Sequence, residues 1–351
     1  MMTQPLKSTT LLEHENISWA YAFSPSAHAF AWGTTHMGHS ETLYVADLND
    51  PLSKPQLAFS YLKEKPKPSE QQEWVCHLNQ VSQGLNAVAW HPSGKYIATG
   101  AWRHEGGVRI WALSEGHKDN PTHTVYRHND NVSGVAFSKD GAYLLSTSMC
   151  YDKRALWMPF QKTGFPYVAL DTAQSIDDSL VDGLYGYTCP RMVGPYTSCA
   201  MAFKSQDKNT AIGVYQTNNG TALGTAQDAQ SAIHDWWDAE TLLLQTPQSA
   251  LAFWKPATDT LQRLTEPLPM SVEYLALRSD KNRLAVVLGE GPIDAKTSII
   301  QLYERQDNTL VLLAETKIHS MVFGLGLAAN GEVIYTVHEG CVVRHFLNSD
   351  H

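Results

Sequence analysis

Paired cysteines and long apolar runs are both missing from this chain of 351 residues. Its five cysteines are scattered without close spacing such as C-x-x-C, which favours small thiols in a reducing cytosol. A chain of this length buries enough surface to be stable without disulfides or a structural metal. No window approaches the ~18 apolar residues of a membrane span, and the N-terminus lacks the apolar stretch of a signal sequence. We therefore expect a cytoplasmic protein that does not enter a membrane.

Basic residues are the minority among the charged ones. The chain has 26 Lys and Arg against 35 Asp and Glu, a net charge of −9 that is spread along its length. A protein that binds the phosphate backbone needs concentrated positive charge. Direct binding of nucleic acid is therefore not expected.

Catalytic motifs are absent as well. There is no G-x-S-x-G elbow, no glycine-rich phosphate loop and no H-E-x-x-H. His36 and His39 have the H-x-x-H spacing of metal ligands, and His104 is a conceivable third ligand. However, the chain contains 15 histidines, and no carboxylate or cysteine stands at a matching offset. We predict no catalytic residue, no metal and no cofactor.

The chain does contain one plan that is repeated. Leu85–Leu113 reads LNAVAWHPSGKYIATGAWRHEGGVRIWAL, and Val132–Phe160 reads VSGVAFSKDGAYLLSTSMCYDKRALWMPF. In both, an alternating apolar strand ends in an aromatic residue, a Gly-containing turn follows, and a later strand ends in tryptophan. Alternation with period 2 between such turns predicts short antiparallel strands, and its recurrence predicts a repeat architecture.

These repeats resemble WD40 repeats, most clearly over residues 11–160. The resemblance implies an all-β fold: one β-propeller over residues 1–351, built of four-stranded antiparallel blades. We predict seven blades of about 50 residues each, with six or eight left open. The residues taken to close each first strand are Phe23, Trp90, Phe137, Phe203, Trp236, Leu277 and Leu327.

The two ends of the chain also fit a closed ring. The C-terminal repeat stops before an outermost strand, whereas Leu6–Glu13 stands directly before the first inner strand. We therefore expect this N-terminal strand to complete the last blade, which leaves only short edges exposed.

Two segments depart from the repeat pattern. Residues 63–73, KEKPKPSEQQE, are charged and punctuated by proline, which predicts an exposed linker between blades. Residues 161–198 show no clean alternation, and we interpret them as an irregular insertion or an atypical blade.

The resemblance further implies a structural network within each blade. In WD40 blades, a His in the turn before the first strand bonds an Asp of a later turn and, through a Ser or Thr, a Trp of the third strand. The second blade keeps Thr99 and Trp111, with Val81 at the His position. The first keeps His14 but has Ala46 in place of the Trp. The third has a candidate for every position: His128, Ser146, Asp152 and Trp157.

A WD40-like propeller without catalytic motifs is expected to bind proteins. The resemblance implies a binding surface at one end of the ring, made of the turns before each inner strand and those between the second and third strands. We predict a non-enzymatic scaffold or adaptor subunit of a cytoplasmic multi-protein complex, with a small-molecule substrate not expected. The predicted partner-binding residues are Trp102, Arg103, His104, Tyr151, Lys153, Asn16, Asn86, Asn129 and Asp130.

Two other functions remain open. One is a metal-assisted propeller enzyme, similar to a hydrolase or lactonase, that acts on a small molecule in the central channel. His, Asp or Glu side chains converging from several blades would favour it. The other is a peptide reader with an aromatic cage at the channel mouth.

Overall fold

Short antiparallel strands dominate the structure, a computed structural model, as the period-2 pattern predicts. The residues that it describes are 4–33, 41–50, 56–61, 84–101, 107–113, 123–126, 132–138, 140–148, 155–160, 168–170, 191–192, 198–204, 210–216, 222–226, 233–238, 240–246, 248–278, 282–290 and 297–347.

An N-terminal strand, β1 (Gln4–Glu13), precedes five sheets of four antiparallel strands, each in chain order. The first sheet contains β2 (Tyr21–Phe23), β3 (Ala29–Gly33), β4 (Glu41–Asp47) and β5 (Gln56–Tyr61). The second contains β6 (Leu85–Trp90), β7 (Tyr96–Ala101), β8 (Gly107–Ala112) and β9 (His123–Tyr126). The third contains β10 (Val132–Phe137), β11 (Tyr143–Ser148), β12 (Ala155–Pro159) and β13 (Val168–Leu170). The fourth contains β14 (Arg191–Met192), β15 (Ser198–Lys204), β16 (Thr210–Gln216) and β17 (Ala222–Ala226). The fifth contains β18 (Ile233–Trp236), β19 (Leu242–Gln245), β20 (Leu251–Lys255) and β21 (Thr260–Arg263).

The remaining sheet has eight strands and consists of two groups of four. One group is β22 (Ser271–Leu277), β23 (Arg283–Glu290), β24 (Thr297–Gln306) and β25 (Thr309–Ile318). The other is β26 (Gly324–Leu327), β27 (Val333–His338), β28 (Cys341–Leu347) and the N-terminal β1. The described strands thus form seven groups of four, which we number as blades 1 to 7 in chain order.

Strand β1 joins the two ends of the chain. It pairs antiparallel with β28, from Leu6 opposite Leu347 to Glu13 opposite Cys341. At Gln4 it also runs parallel to β25, which links the outer edges of blades 6 and 7. The structure therefore confirms that an N-terminal strand completes the last blade.

Neighbouring blades stack through apolar side chains. Between blades 7 and 1, Phe30 and Trp32 pack in one cluster with Tyr335 and Val337. Similar clusters lie between blades 1 and 2, 2 and 3, 5 and 6, and 6 and 7. Inner strand β14 of blade 4 lies beside those of blades 3 and 5, β10 and β18. Blades 1, 2, 6 and 7 are thus buried on two faces, which favours apolar residues in their central strands, and the ring confirms the predicted all-β propeller.

The turns between first and second strands behave as their composition predicts. Gly94, Gly141 and Gly331 occupy equivalent positions with φ of 71°, 72° and 72°, in the left-handed region that favours glycine. In blade 1 the equivalent residue is Ala27, with φ of 53°. The shared conformation confirms that these turns belong to repeats of one plan.

The first strand of blade 4 differs from our prediction. Phe203 was expected to close it, but Phe203 lies on β15, which is the second strand of that sheet. The first strand is the two-residue β14, so the blade begins earlier than its alternating pattern indicates. The other six predicted closing residues do end the first strand of a blade.

The structure describes part of one irregular segment and none of the other. Residues 63–73 lie outside the described residues. Residues 161–198 contribute the outer strand β13 of blade 3, the inner strand β14 of blade 4 and the first residue of β15.

Candidate functional site

One end of the ring, here called the upper face, carries the turns that lead into each first strand and those between second and third strands. Seven of the predicted partner-binding residues lie outside the described residues: Trp102, Arg103, His104, Tyr151, Lys153, Asn129 and Asp130. The same holds for the H-x-x-H pair at His36 and His39.

The two predicted binding residues that are described both make internal contacts. The backbone N–H of Asn16 donates to His14 Nδ1 over 3.2 Å. The side-chain amide of Asn86 donates to the carbonyl of Val132 over 2.9 Å, across blades 2 and 3. The Asn86 side chain therefore connects two blades.

His14 organises the turn between β1 and β2. Its Nδ1 also accepts a hydrogen bond from the Trp32 indole at 3.3 Å, and its ring lies 4.5 Å from that of Tyr44, centroid to centroid. Burial lowers the pKa of His14, although Glu15 acts against this. A neutral ring that accepts at Nδ1 braces the turn. The partner Trp32 comes from the second strand, a position that the repeat pattern did not indicate.

The Thr–Trp part of the predicted network is present in blade 2. Trp111 Nε1 donates to Thr99 Oγ1 over 2.9 Å, and both side chains are buried. In blade 3, Ser146 is buried at the position equivalent to Thr99, and Trp157 lies on β12 opposite Leu145. His128 and Asp152 lie outside the described residues.

Blade 7 contains an equivalent pair that sequence reasoning missed. Thr99 lies opposite Arg109, two residues before Trp111, and Thr336 lies opposite Val343, two residues before His345. The Nε2 of His345 lies 2.8 Å from Thr336 Oγ1, so a histidine takes the place of the tryptophan. Because no tryptophan stands at this position, the repeat pattern did not indicate the pair.

The turn before β2 also carries an exposed aromatic side chain. Trp19 is 49% exposed, and Trp19 and Leu261 are the only exposed large hydrophobic residues among those described. The turn is held in place because His14 N–H donates to the carbonyl of Gly340 at 2.9 Å, and Gly340 N–H donates to that of Ile17 at 3.0 Å. Trp19 is therefore displayed on a braced part of the upper face.

On the upper face, Ser320 lies beside His338 in an arrangement similar to that of a nucleophile and its base. Ser320 Oγ lies 3.2 Å from His338 Nδ1, but that nitrogen also lies 3.0 Å from the carbonyl oxygen of Met321. A nitrogen bonded to a carbonyl carries the proton, so it cannot accept one from Ser320. Nowhere in the described part of the chain do three His, Cys, Asp or Glu side chains form a group that could hold a metal ion. That part also contains no helix long and apolar enough to cross a membrane.

Comparisons with known proteins agree with this geometry. Residues 69–112 and 119–156, which include most of the described strands of blades 2 and 3, match the family model "WD domain, G-beta repeat". No curated protein matches the chain in sequence.

Solved structures share the fold over nearly the whole chain. A chain of the Mitotic Checkpoint Complex has a TM-score of 0.64 and 14% identity, covering 99% of this chain and 93% of its own. U3-55K has a TM-score of 0.63 and 15% identity, and the match covers 97% of this chain and 98% of U3-55K. The RRP9 WD40 repeats have a TM-score of 0.63 and 14% identity, and the match covers 99% of this chain and 100% of the RRP9 chain. Together, the two repeats that match the WD40 model and the shared ring show that this chain has a β-propeller fold of the kind seen in WD40-repeat proteins.

Proposed function

We propose that this protein is a non-enzymatic scaffold or adaptor subunit of a cytoplasmic multi-protein complex and holds protein partners on its upper face. A closed ring stacked through apolar interfaces is rigid and offers a broad surface of turns, where binding residues are commonly found. One of the proteins that it resembles in fold is a chain of a named complex, the Mitotic Checkpoint Complex.

The exposed indole of Trp19 is the observation that carries this proposal. Half of a large apolar ring is left in water on a turn that is itself held by backbone hydrogen bonds. Trp is among the residues that most often dominate the binding energy of protein interfaces, because it buries a large area with little loss of side-chain freedom. We therefore take Trp19 as an anchor for the partner.

The charges on the surrounding turns favour a basic partner segment. Glu15 and Glu339 are exposed carboxylates on described turns of the upper face that contain neither Lys nor Arg, whereas the exposed Glu266 pairs with Arg263 at the end of β21 over 3.7 Å. Charge complementarity would attract a segment that presents Lys or Arg, and such a cation could lie over the Trp19 ring. Trp102, Arg103 and Tyr151 remain proposed contacts from the sequence.

Affinity purification of the tagged protein from its native host, at near-physiological salt, tests the proposal. We expect a stoichiometric partner with the wild-type protein, its loss with Trp19→Ala, and its retention with the matched control Leu261→Ala. Leu261 is equally exposed, at 54%, but lies on the outer strand β21. Higher salt should weaken retention if the carboxylates contribute.

Two results would overturn the proposal. One is recovery of the wild-type protein without a partner. The other is retention of the partner by both Trp19→Ala and the triple variant Trp102→Ala, Arg103→Ala and Tyr151→Ala. Either result would direct the search to the central channel instead.

A further inference from the structure

An Asn-Gly pair stands in the turn between the first two strands of blade 7, at the end of the ring opposite the upper face. The turn closes with a hydrogen bond of 2.8 Å from Gly331 N–H to the carbonyl of Ala328, and Asn330 is exposed. The other Asn-Gly pair of the sequence, Asn219–Gly220, lies outside the described residues. Asn330 is therefore the Asn-Gly site whose surroundings the structure shows.

An asparagine followed by glycine is chemically labile. The backbone nitrogen of the glycine attacks the side-chain carbon Cγ of the asparagine, a C–N bond forms, and ammonia leaves as the Cγ–Nδ2 bond breaks. Water then opens the cyclic imide to aspartate or isoaspartate. Glycine favours the attack because it has no Cβ and its backbone rotates easily. The conversion adds one negative charge and needs no reactant other than water.

Two hydrogen bonds restrain this reaction in the native turn. Gly331 N–H is bound to the carbonyl of Ala328, and Asn330 Oδ1 accepts from Glu332 N–H at 3.0 Å. The turn must open before the imide forms, so we expect a slower reaction than in the unfolded chain. Opening one exposed turn requires less free energy than unfolding a blade, and the folded protein therefore still reacts.

The native turn also accepts the aspartate product. Oδ1 of Asn330 would keep its bond from Glu332 N–H, and its Nδ2 bonds to none of the described residues. In the equivalent turn of blade 3, Asp140 Oδ1 accepts from Ala142 N–H at 2.9 Å, and Gly141 follows with φ of 72°. Isoaspartate would instead insert its Cβ into the main chain, and the longer turn would not match this geometry.

Two arginines of blade 6 lie against the same turn. Arg278 Nη1 donates to the carbonyl of Asn330 over 3.2 Å, and Arg283 Nη1 donates to that of Gly331 over 3.3 Å. A Cβ on Gly331 would lie 3.0 Å from the Cδ atoms of both arginines. Arg283 also pairs with Glu304 at 3.4 Å. An aspartate at position 330 would therefore place its charge beside two guanidinium groups.

Blades 2 and 3 already combine such a contact with an acid. His91 follows the first strand of blade 2, as Arg278 follows that of blade 6, and its Nε2 lies 3.0 Å from the carbonyl oxygen of Gly141. Burial lowers the pKa of His91, while this bond and the charge of Asp140 act against the decrease. An acid in this turn thus favours a positive charge on the preceding blade.

We propose that Asn330 is a site of spontaneous deamidation and that its aspartate product strengthens the contact between blades 6 and 7. The product gives blade 7 the acidic turn that blade 3 has from its sequence. This inference concerns the end of the ring opposite the upper face and does not depend on the proposed partner surface.

Peptide mapping by mass spectrometry of the whole protein, aged at pH 8, tests whether the site reacts. We expect conversion at Asn330 and none at the matched Asn308, which is also exposed in a turn between two strands but is followed by the branched side chain of Thr309. Ageing in urea should accelerate conversion at Asn330. Absence of conversion at Asn330 in the native protein, or equal conversion at Asn308, would overturn the proposal.

The variant Asn330→Asp tests the product without ageing. Because an exposed ion pair stabilises only weakly, we expect the midpoint of thermal unfolding to rise by about 1–2 °C at low salt. High salt should remove this gain. In a double-mutant cycle, the gain should shrink when Arg278→Ala is also present. A midpoint below that of the wild type, or an undiminished gain without Arg278, would refute the proposed contact.

Discussion

Replacing Thr336 by valine isolates the energy of the two hydrogen bonds that its hydroxyl makes with His338 and His345, with little change in side-chain shape. The hydroxyl of Thr336 serves two partners, since His345 Nε2 and His338 Nε2 each lie 2.8 Å from it. Thr99 is the matched control: it is also buried on the second strand of its blade, and its hydroxyl accepts one hydrogen bond, from Trp111 Nε1, at 2.9 Å. The two substitutions therefore differ mainly in the number of hydrogen bonds removed.

The expected magnitudes follow from that number. A buried polar group that loses its partner costs about 1–3 kcal/mol. Thr336→Val affects one donor and one acceptor, so we expect a loss of about 3 kcal/mol in the free energy of unfolding. Thr99→Val affects one donor, and we expect about 1.5 kcal/mol.

Urea denaturation at pH 7.5, followed by both tryptophan fluorescence and circular dichroism, measures the difference. The two signals should change together, and the slope with urea should be the same in all three proteins, so that the shift in midpoint reports stability. A loss below about 1 kcal/mol for Thr336→Val, or a loss no larger than that of Thr99→Val, would refute the assignment of two buried hydrogen bonds to this hydroxyl.

Three further predictions concern turn geometry, pH and closure. Gly94→Ala should lower the free energy of unfolding by about 1 kcal/mol, because Gly94 has a φ of 71°. Gly141→Ala should lower it at least twice as much, since the new Cβ would also collide with the ring of His91. Equal midpoints of the two variants in thermal denaturation would contradict this. Because the folded-state pKa of His345 lies below 6.5, stability should be full above pH 6.5, fall by about 3 kcal/mol as pH drops toward 4, and then level off with respect to this group. Urea midpoints across that pH range measure this change, and a rise in stability on acidification would contradict the prediction. Leu6→Ala removes a side chain of β1 that is 6% exposed and should cost about 2–4 kcal/mol; a change within 0.5 kcal/mol would show that β1 adds little to closure.

Local chemistry made much of the fold predictable. Alternation and turn composition located six of the seven first strands, and glycine stands at the left-handed position of three turns. The prediction was wrong at Phe203 because a second strand with the same alternation looks like a first strand when the true one has only two residues. Short inner strands leave no periodic signal to detect.

The sequence also predicted closure by an N-terminal strand, because a repeat that lacks its last strand needs one from elsewhere. It could not predict which polar side chains meet there. Ser8 and His345 are 337 residues apart and touch only because β1 and β28 pair in one register. His345 takes the position that Trp111 holds in blade 2, and no tryptophan marks it.

The repeats, their turns and the class of fold could thus be predicted from the residue pattern, because they depend on residues close together in the chain. The tertiary structure decided which blade begins at which strand, that Trp32 reaches His14, and that two buried histidines connect the ring to its closing strand. Those features depend on register and on contacts between distant segments, which a pattern of alternation does not specify. For the same reason, the exposure of Trp19 could be read only from the folded ring.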